Sequence, residues 1–408
     1  MKYITLVLSF LAISLGAAPK VEVGMDVLIE KHGQLLKKKN IGLVTNHTAI
    51  NSNMDSSIEL LLANSKKLGY NLKALFAPEH GLNGNAYAYE YISNEKRESI
   101  PVYSLHGSTR RPNDNMLENL DLLIFDIQDV GVRSYTYAST LFYIMEEAAK
   151  RDISVIVTDR PNPINGTTVD GPMLDEKWRS FVGYIDVPYC HGMTVGELAR
   201  YFNGEYKTNC NLTVIPMNGW KRTMDFTSTG LTWIPTSPQI PENDTPLYYA
   251  TTGILGETLM VSIGVGYTLP FKLVGAPWID AEEYAQNLNS QNFSGVYFLP
   301  FHFKPYFGRY EGENCHGVKI IVTKPEVYKP ISTQYLLLGT VKNLYPEKFQ
   351  ENLLFDQPKR RNMFCKINGT DKTIPIIQDE QYITWKLIGL DEVRRKNFIK
   401  VRQKYLIY

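Results

Sequence analysis

Residues 120–140 read LDLLIFDIQDVGVRSYTYAST, from Leu120 to Thr140. From Asp121 to Ile127 the run is apolar, broken only by Asp121 and Asp126. That is the pattern of a central strand buried on both faces, which needs helices above and below it. Beyond it come Gln128, Asp129, Gly131, Arg133, Tyr135 and Tyr137, so charged and hydrogen-bonding groups crowd together where the strand gives way to a loop. In an open α/β sheet that carboxyl edge is where ligands bind. The simpler alternative is that the acids cap the next helix and Arg133 makes an ordinary ion pair.

The pattern repeats on both sides of this stretch. Ile41 to Asn46 reads as a short strand, and Asp55 to Leu68 has the helical spacing of Ile58, Leu61, Leu62 and Leu68. Leu72 to Ala77 is a second strand ending in Pro78-Glu79-His80-Gly81, and Val102 to Leu105 a third ending at His106. After the central strand, Tyr137 to Arg151 is a helix with Leu141, Ile144, Met145 and Ala148 on one face, and Ile153 to Thr158 is a strand ending in Asp159-Arg160. Alternating strands and helices predict an α/β fold with a doubly wound, mainly parallel sheet.

Parallel strands present their carboxyl ends to one edge, so Asn46, His47, Glu79, His80, His106, Asp126, Asp129, Asp159 and Arg160 are expected on a single rim. A lone acid at a strand end usually caps a helix; five strands ending this way imply a site. Glu79-His80 is the foremost acid/base candidate, because Pro78 and Gly81 fix a tight turn and a carboxyl beside an imidazole can be tuned by burial and neighbours. His47, His80, His106, Asp126 and Asp129 could meet around a metal, but no HExxH or paired-Cys spacing supports one, and none is assigned.

The amino-terminal domain is expected over 19–185 and a second α/β or α+β domain over 186–408. Thr194 to Glu197 has capping-box spacing at the head of a helix, and Leu212 to Met217 reads as a strand of the second domain. Trp233 to Pro241 is too rich in proline for a regular element and reads as a pocket wall. Gly253 to Phe271 is a glycine-interrupted apolar segment, Phe301 to Gly317 is aromatic and basic, and Asp379 to Tyr408 is an amphipathic helical end.

At the start of the chain, Met1-Lys2, the apolar run Tyr3 to Leu15 and small residues Gly16-Ala17-Ala18 have the form of a signal peptide over 1–18, which predicts export to the periplasm or beyond the cell. No later segment is apolar for long enough to span a membrane. Across 408 residues, 43 basic and 42 acidic side chains leave a net charge of +1, so no overall field favours nucleic acid or an anionic membrane surface. Cys190, Cys210, Cys315 and Cys365 form no CxxC pair, which argues against a zinc ribbon or a thioredoxin motif. Export permits disulfides, and the spacing is equally compatible with free thiols. GxGxxG, GxxxxGK[ST] and GxSxG motifs are all missing, so no nucleotide cradle, no cofactor and no esterase elbow is expected. Carboxylates, arginines and tyrosines on one rim suit hydrolysis of a polar substrate, a glycan above all.

An ordered series of motifs sharpens that reading: EHG at Glu79–Gly81, HGSTRRP at His106–Pro112, FDIQDVGVRSYTY at Phe125–Tyr137, DRPNP at Asp159–Pro163, GMTVGELA at Gly192–Ala199 and GAPWID at Gly275–Asp280. Together they resemble the exo-β-N-acetylmuramidase family (NamZ-like), long known as a domain of unknown function, over the whole chain beyond the leader. The resemblance implies a Rossmann-like amino-terminal domain, a second domain, and a cleft between them. It further implies release of terminal N-acetylmuramic acid from peptidoglycan fragments, with Glu79 as the catalytic acid. The alternative is a non-catalytic glycan-binding paralogue.

On this reading Glu79, His80, Asp126 and Asp129 are the catalytic candidates: Glu79 protonates the glycosidic oxygen, His80 tunes it, and an aspartate assists water or orients the acetamido group. Asn46, His47, Arg110, Arg133, Tyr135, Arg160 and His191 are the substrate-binding candidates. A lactyl carboxylate calls for a guanidinium, with Arg110, Arg111, Arg133 and Arg160 in contention and Arg133 foremost. The partner is thus a peptidoglycan-derived saccharide, with neither nucleic acid nor, after cleavage of the leader, membrane. Two stretches depart from the family pattern. Gly84 to Glu90 stands where many relatives resemble GDADAGE, and Glu257 to Thr268 stands where many resemble EGTNxSEGRGT, so Asn, Glu and Arg become Met260, Ile263 and Val265. Polarity has left one wall of the expected pocket.

Overall fold

The computed structural model describes residues 20–87, 90–97, 100–349 and 357–408. The leader read at 1–18 and part of the Gly84–Glu90 stretch lie outside them. Ten strands are present among the described residues: β1 (Asn40–Thr45), β2 (Asn71–Ala77), β3 (Glu95–Arg97), β4 (Ile100–Ser104), β5 (Leu122–Asp126), β6 (Ser154–Thr158), β7 (Leu212–Ile215), β8 (Leu273–Ala276), β9 (Val296–Phe303) and β10 (Cys315–Val322). The first seven form one sheet in the order β3-β4-β2-β1-β5-β6-β7, parallel except for β3, which pairs antiparallel with β4.

The central strand behaves as its composition dictates. All five residues of β5 are buried, and they alternate between two helical layers. Leu123 and Phe125 pack with Leu141, Ile144 and Met145 of α4 (Thr136–Ala149) and with Leu198 and Phe202 of α5 (Val195–Glu205). Leu122 and Ile124 face Met25 and Leu28 of α1 (Gly24–Lys31) and Ile58 and Leu61 of α2 (Ser57–Leu68). Removing a large aliphatic group from such a site costs about 2–5 kcal/mol. Capping boxes start α2 at Ser56/Glu59 and α5 at Thr194/Glu197, each satisfying two otherwise orphaned N–H groups.

The strand at Leu212–Ile215 corrects the expected division of the chain. It pairs in parallel with β6, so the amino-terminal unit runs on past 185 to include it. The second unit holds the antiparallel sheet β8-β10-β9. Helices of this unit are α6 (Thr245–Glu257), α7 (Ala281–Ser290) and α8 (Pro330–Leu344). A helical tail follows, with α9 (Pro358–Asn368) and α10 (Glu392–Arg402) among its helices. The tail returns to the first unit: Tyr408 Oη donates to Asp159 Oδ2 at 2.8 Å, and Arg402 Nη1 donates to the His191 carbonyl at 2.7 Å. Among the described residues no helix is long and apolar enough to cross a membrane, and all four cysteines are free and buried.

Candidate active site

A cavity of about 420 Å³ lies between the two units. The first unit lines it with Glu79, His80, Ser134, Tyr135 and Thr136, and the second with Gly253–Phe271 residues, Gly308 and Arg309. The loop read as a pocket wall supplies Ser237, Pro238, Gln239 and Ile240. Three side chains of the first unit hold that loop: His47 Nε2 donates to the Pro235 carbonyl at 2.7 Å, Tyr137 Oη to the Thr236 carbonyl at 2.7 Å, and Tyr135 Oη to Thr236 Oγ1 at 3.0 Å.

Strand register brings the acid and its holders together. Ala77 of β2 lies beside Ser104 of β4, so Glu79 and His106, each two residues further on, emerge side by side. His106 Nε2 lies 3.5 Å from Glu79 Oε1. From the other side Thr136 Oγ1, in the first turn of α4, donates to Glu79 Oε2 at 2.6 Å. Both Glu79 and His106 are buried. Burial pulls the His106 imidazole below its ordinary range, against the attraction of the Glu79 carboxylate, which favours a neutral ring beside the acid.

His80 takes a left-handed backbone, φ +69°, and its Nδ1 donates to the Ala86 carbonyl at 2.8 Å, leaving Nε2 as the acceptor. Gly84 is required nearby: at φ +70° a Cβ there would sit 1.8 Å from the His47 ring. Desolvation also lowers the proton affinity of His47.

The remaining candidates sort by burial and partners. Asp126 is fully buried and off the cavity wall. Arg160 grips it with Nε to Oδ1 at 2.5 Å and Nη2 to Oδ2 at 3.0 Å, and the Ser57 hydroxyl donates to Oδ2 as well. Asp126 and Arg160 therefore satisfy each other, and neither lines the cavity. Asn46 accepts from the Thr48 amide and hydroxyl at 3.0 and 2.6 Å. Asp129 accepts from the Gly131 amide at 3.2 Å, its Oδ1 has no partner, and burial pushes its carboxyl up to about 7. Burial pushes the Tyr135 and Tyr137 hydroxyls up, with a smaller contribution from Asp129, which does not line the cavity.

Arg133, expected to bind a carboxylate, is a strut. Its guanidinium donates to the carbonyls of Pro172 (2.7 Å), Val187 (2.8 Å), Ile367 (3.3 Å) and Asn368 (2.6 Å), joining the first unit to the C-terminal end of α9. Gly369, at φ +90°, makes room: a Cβ there would lie 2.2 Å from Arg133 Nη2. His191 is also enclosed. Its Nδ1 accepts from the Met193 amide at 3.2 Å, and burial beside Arg402 and Arg133 drives it down to about 3, so it stays neutral and off the wall. Arg111 is bound to Glu146 at 2.6 Å, and Arg110 lies exposed, 4.3 Å over the Phe181 ring. Tyr135 alone of the expected substrate-binding residues lines the cavity.

Three groups at or beside the wall were not foreseen as site residues: Thr136, Glu257 and Arg309. Glu257 is half-buried, and desolvation raises its carboxyl. His106 stood on the expected rim, but its pairing with Glu79 follows only from strand register. Among the described residues no three His, Cys, Asp or Glu side chains converge in a way that could hold a metal ion.

A parallel sheet that lends one firmly held carboxyl group to a roofed cavity is the layout of an α/β hydrolytic enzyme, and the comparisons with known proteins make that class specific. The family model for the N-terminal part of exo-β-N-acetylmuramidase NamZ matches residues 41–244, and that for its C-terminal part matches residues 247–408. The chain belongs to this family and is a glycosidase. It is 39% identical over 392 residues to the peptidoglycan β-N-acetylmuramidase NamZ of Bacillus subtilis, covering 96% of this chain and 92% of that one. Two crystal structures of DUF1343 family proteins from Bacteroides fragilis share the fold. One has TM-score 0.87 at 38% identity, covering 95% of this chain and 99% of that one. The other has TM-score 0.75 at 29% identity, covering 96% and 99%.

Proposed function

We propose that the chain is an exported, exo-acting glycosidase that releases terminal N-acetylmuramic acid, or a related amino sugar, from the non-reducing end of peptidoglycan fragments. The observation that carries this reading is Glu79, an acid at the cavity wall fixed by Thr136 on one oxygen and His106 near the other. Membership of the NamZ family supports the sugar, and the form of residues 1–18 supports export.

In the reaction Glu79 protonates the glycosidic oxygen as the bond to the leaving sugar breaks, and water adds to the anomeric carbon and releases a proton, which restores the acid. His106 and Thr136 keep its carboxyl aimed into the cavity, so little reorganisation is needed at the transition state. His80, neighbouring Glu79 on the wall, offers Nε2 to a substrate hydroxyl. Tyr135 and Tyr249 supply aromatic edges suited to a sugar ring. The test is hydrolysis of a chromogenic β-N-acetylmuramide and of muropeptide-derived disaccharides by wild type and by Glu79→Gln. Turnover by wild type, lost in the variant, is expected. Binding of the sugars without turnover by wild type would instead establish a glycan-binding paralogue.

A further inference from the structure

We propose that Arg309 is the specificity residue of the cavity and fixes the acid group of a sugar acid, the lactyl carboxylate of N-acetylmuramic acid; this rests on the proposed function for its substrate. Arg309 is the single arginine or lysine among the described residues lining the cavity. Arg133, Arg160 and Arg111 are already committed to the protein's own carbonyls and carboxylates, and Arg110 stands outside the lining.

Arg309 differs from them in what it lacks. It pairs with no carboxylate among the described residues, and its Nε is buried with no acceptor. That N–H draws no acceptor from the protein, so Arg309 meets the cavity with its charge unneutralised by any carboxylate among the described residues. The guanidinium is nevertheless held in place. It lies 4.2 Å over the Tyr310 ring and its Nη2 donates to Tyr310 Oη at 3.1 Å. That hydroxyl is anchored in turn by Trp278 Nε1 at 3.1 Å and by the Met260 carbonyl at 2.9 Å.

The surrounding wall strengthens the case. Leu259, Val261, Ile263 and Val265 line the same cavity, so the wall shared with Arg309 is largely apolar. In such surroundings a guanidinium and a carboxylate attract each other more strongly than in water. A planar fork that needs two acceptors matches a carboxylate and not a neutral hydroxyl.

The experiment uses the full chain and three 4-nitrophenyl glycosides: the β-N-acetylmuramide, its lactyl methyl ester, and the β-N-acetylglucosaminide, which lacks the lactyl group. Wild type is expected to favour the acid over the ester, chiefly through KM. Arg309→Gln is expected to lower kcat/KM on the acid by roughly 10- to 100-fold while leaving the ester and the glucosaminide unchanged. Arg309→Lys, which keeps the charge but not the fork, is expected to fall between. Equal losses on acid and ester, or an undiminished rate on the acid, would overturn the assignment while the glycosidase reading stands. Should wild type cleave none of the three, calorimetry with free N-acetylmuramic acid and N-acetylglucosamine decides. A preference for the acid that vanishes in Arg309→Gln and survives in part in Arg309→Lys upholds Arg309 although the glycosidase reading falls; the lack of any preference removes both.

Discussion

Two strand ends on one sheet edge have opposite fates. Where β1 and β5 lie side by side, the order of the sheet reverses, and that crevice is where an open α/β sheet ordinarily takes its ligand. Here the chain fills it. Asp126 is held by Arg160 and Ser57, Asn46 by Thr48, and the Gln128 amide donates to Thr48 Oγ1 at 3.1 Å. One strand over, at the end of β2, Glu79 faces a cavity roofed by the second unit. Polar residues at a strand end mark a site where the fold turns them toward open space, as at Glu79; where it encloses them, as at Asp126 and Asn46, they are architecture.

Paired substitutions test that contrast. Glu79→Gln is expected to lower kcat on a muramide by roughly 100- to 10,000-fold, with a melting temperature close to that of wild type. Asp126→Asn should do the reverse. It strands the buried Arg160 guanidinium, costing about 3–5 kcal/mol in denaturant unfolding, while the folded enzyme keeps its turnover. A large loss of kcat in stable Asp126→Asn protein would return that aspartate to the chemistry.

Arg133→Gln sharpens the same point, since four carbonyls lose their donor; about 2–4 kcal/mol of stability should go, with KM for the sugar little altered in the folded fraction. A raised KM at unchanged stability would mean that Arg133 binds substrate after all. An effect absent at neutral pH and visible only in acid concerns His191, held down to about 3 against an ordinary 6.5, so the fold keeps it neutral while the unfolded chain takes up a proton. Its contribution is complete above 6.5 and is lost as pH falls from there toward about 3, by about 1.4 kcal/mol per unit. His191→Gln should flatten the fall of unfolding free energy over that window, whatever its effect at neutral pH. An unchanged slope would show that another group carries the acid sensitivity.

The sheet was legible because its signals are local. The run Asp121–Ile127, the helical spacing of Ile58 and Leu61, and the capping pair Thr194/Glu197 each specify an element within a dozen residues. Leu212 to Met217 reads as a strand of the second domain, whereas the strand formed, Leu212–Ile215, belongs to the first sheet, because so short a strand says nothing of which edge it joins. At the site, Glu79 and His80 stood out through the turn around them. The Glu79–His106 pair depends on β2/β4 register, and Thr136 on where the β5–α4 connection lands. Arg133 misled because its charge implies an anionic partner, whereas its partners are carbonyls as distant in sequence as Asn368. Arg309 gave no sign, lying in the β9–β10 connection, where no periodicity speaks.

The central claim is that the end of β2, and not the β1/β5 crevice, addresses the sugar. A crystal structure of Glu79→Gln soaked with a disaccharide bearing a terminal N-acetylmuramic acid tests it most directly. The scissile oxygen is expected within hydrogen-bonding distance of the residue 79 side chain, inside the cavity between the units. Sugar density against Asp126, Asp129 and Arg160, with the cavity empty, would contradict the account.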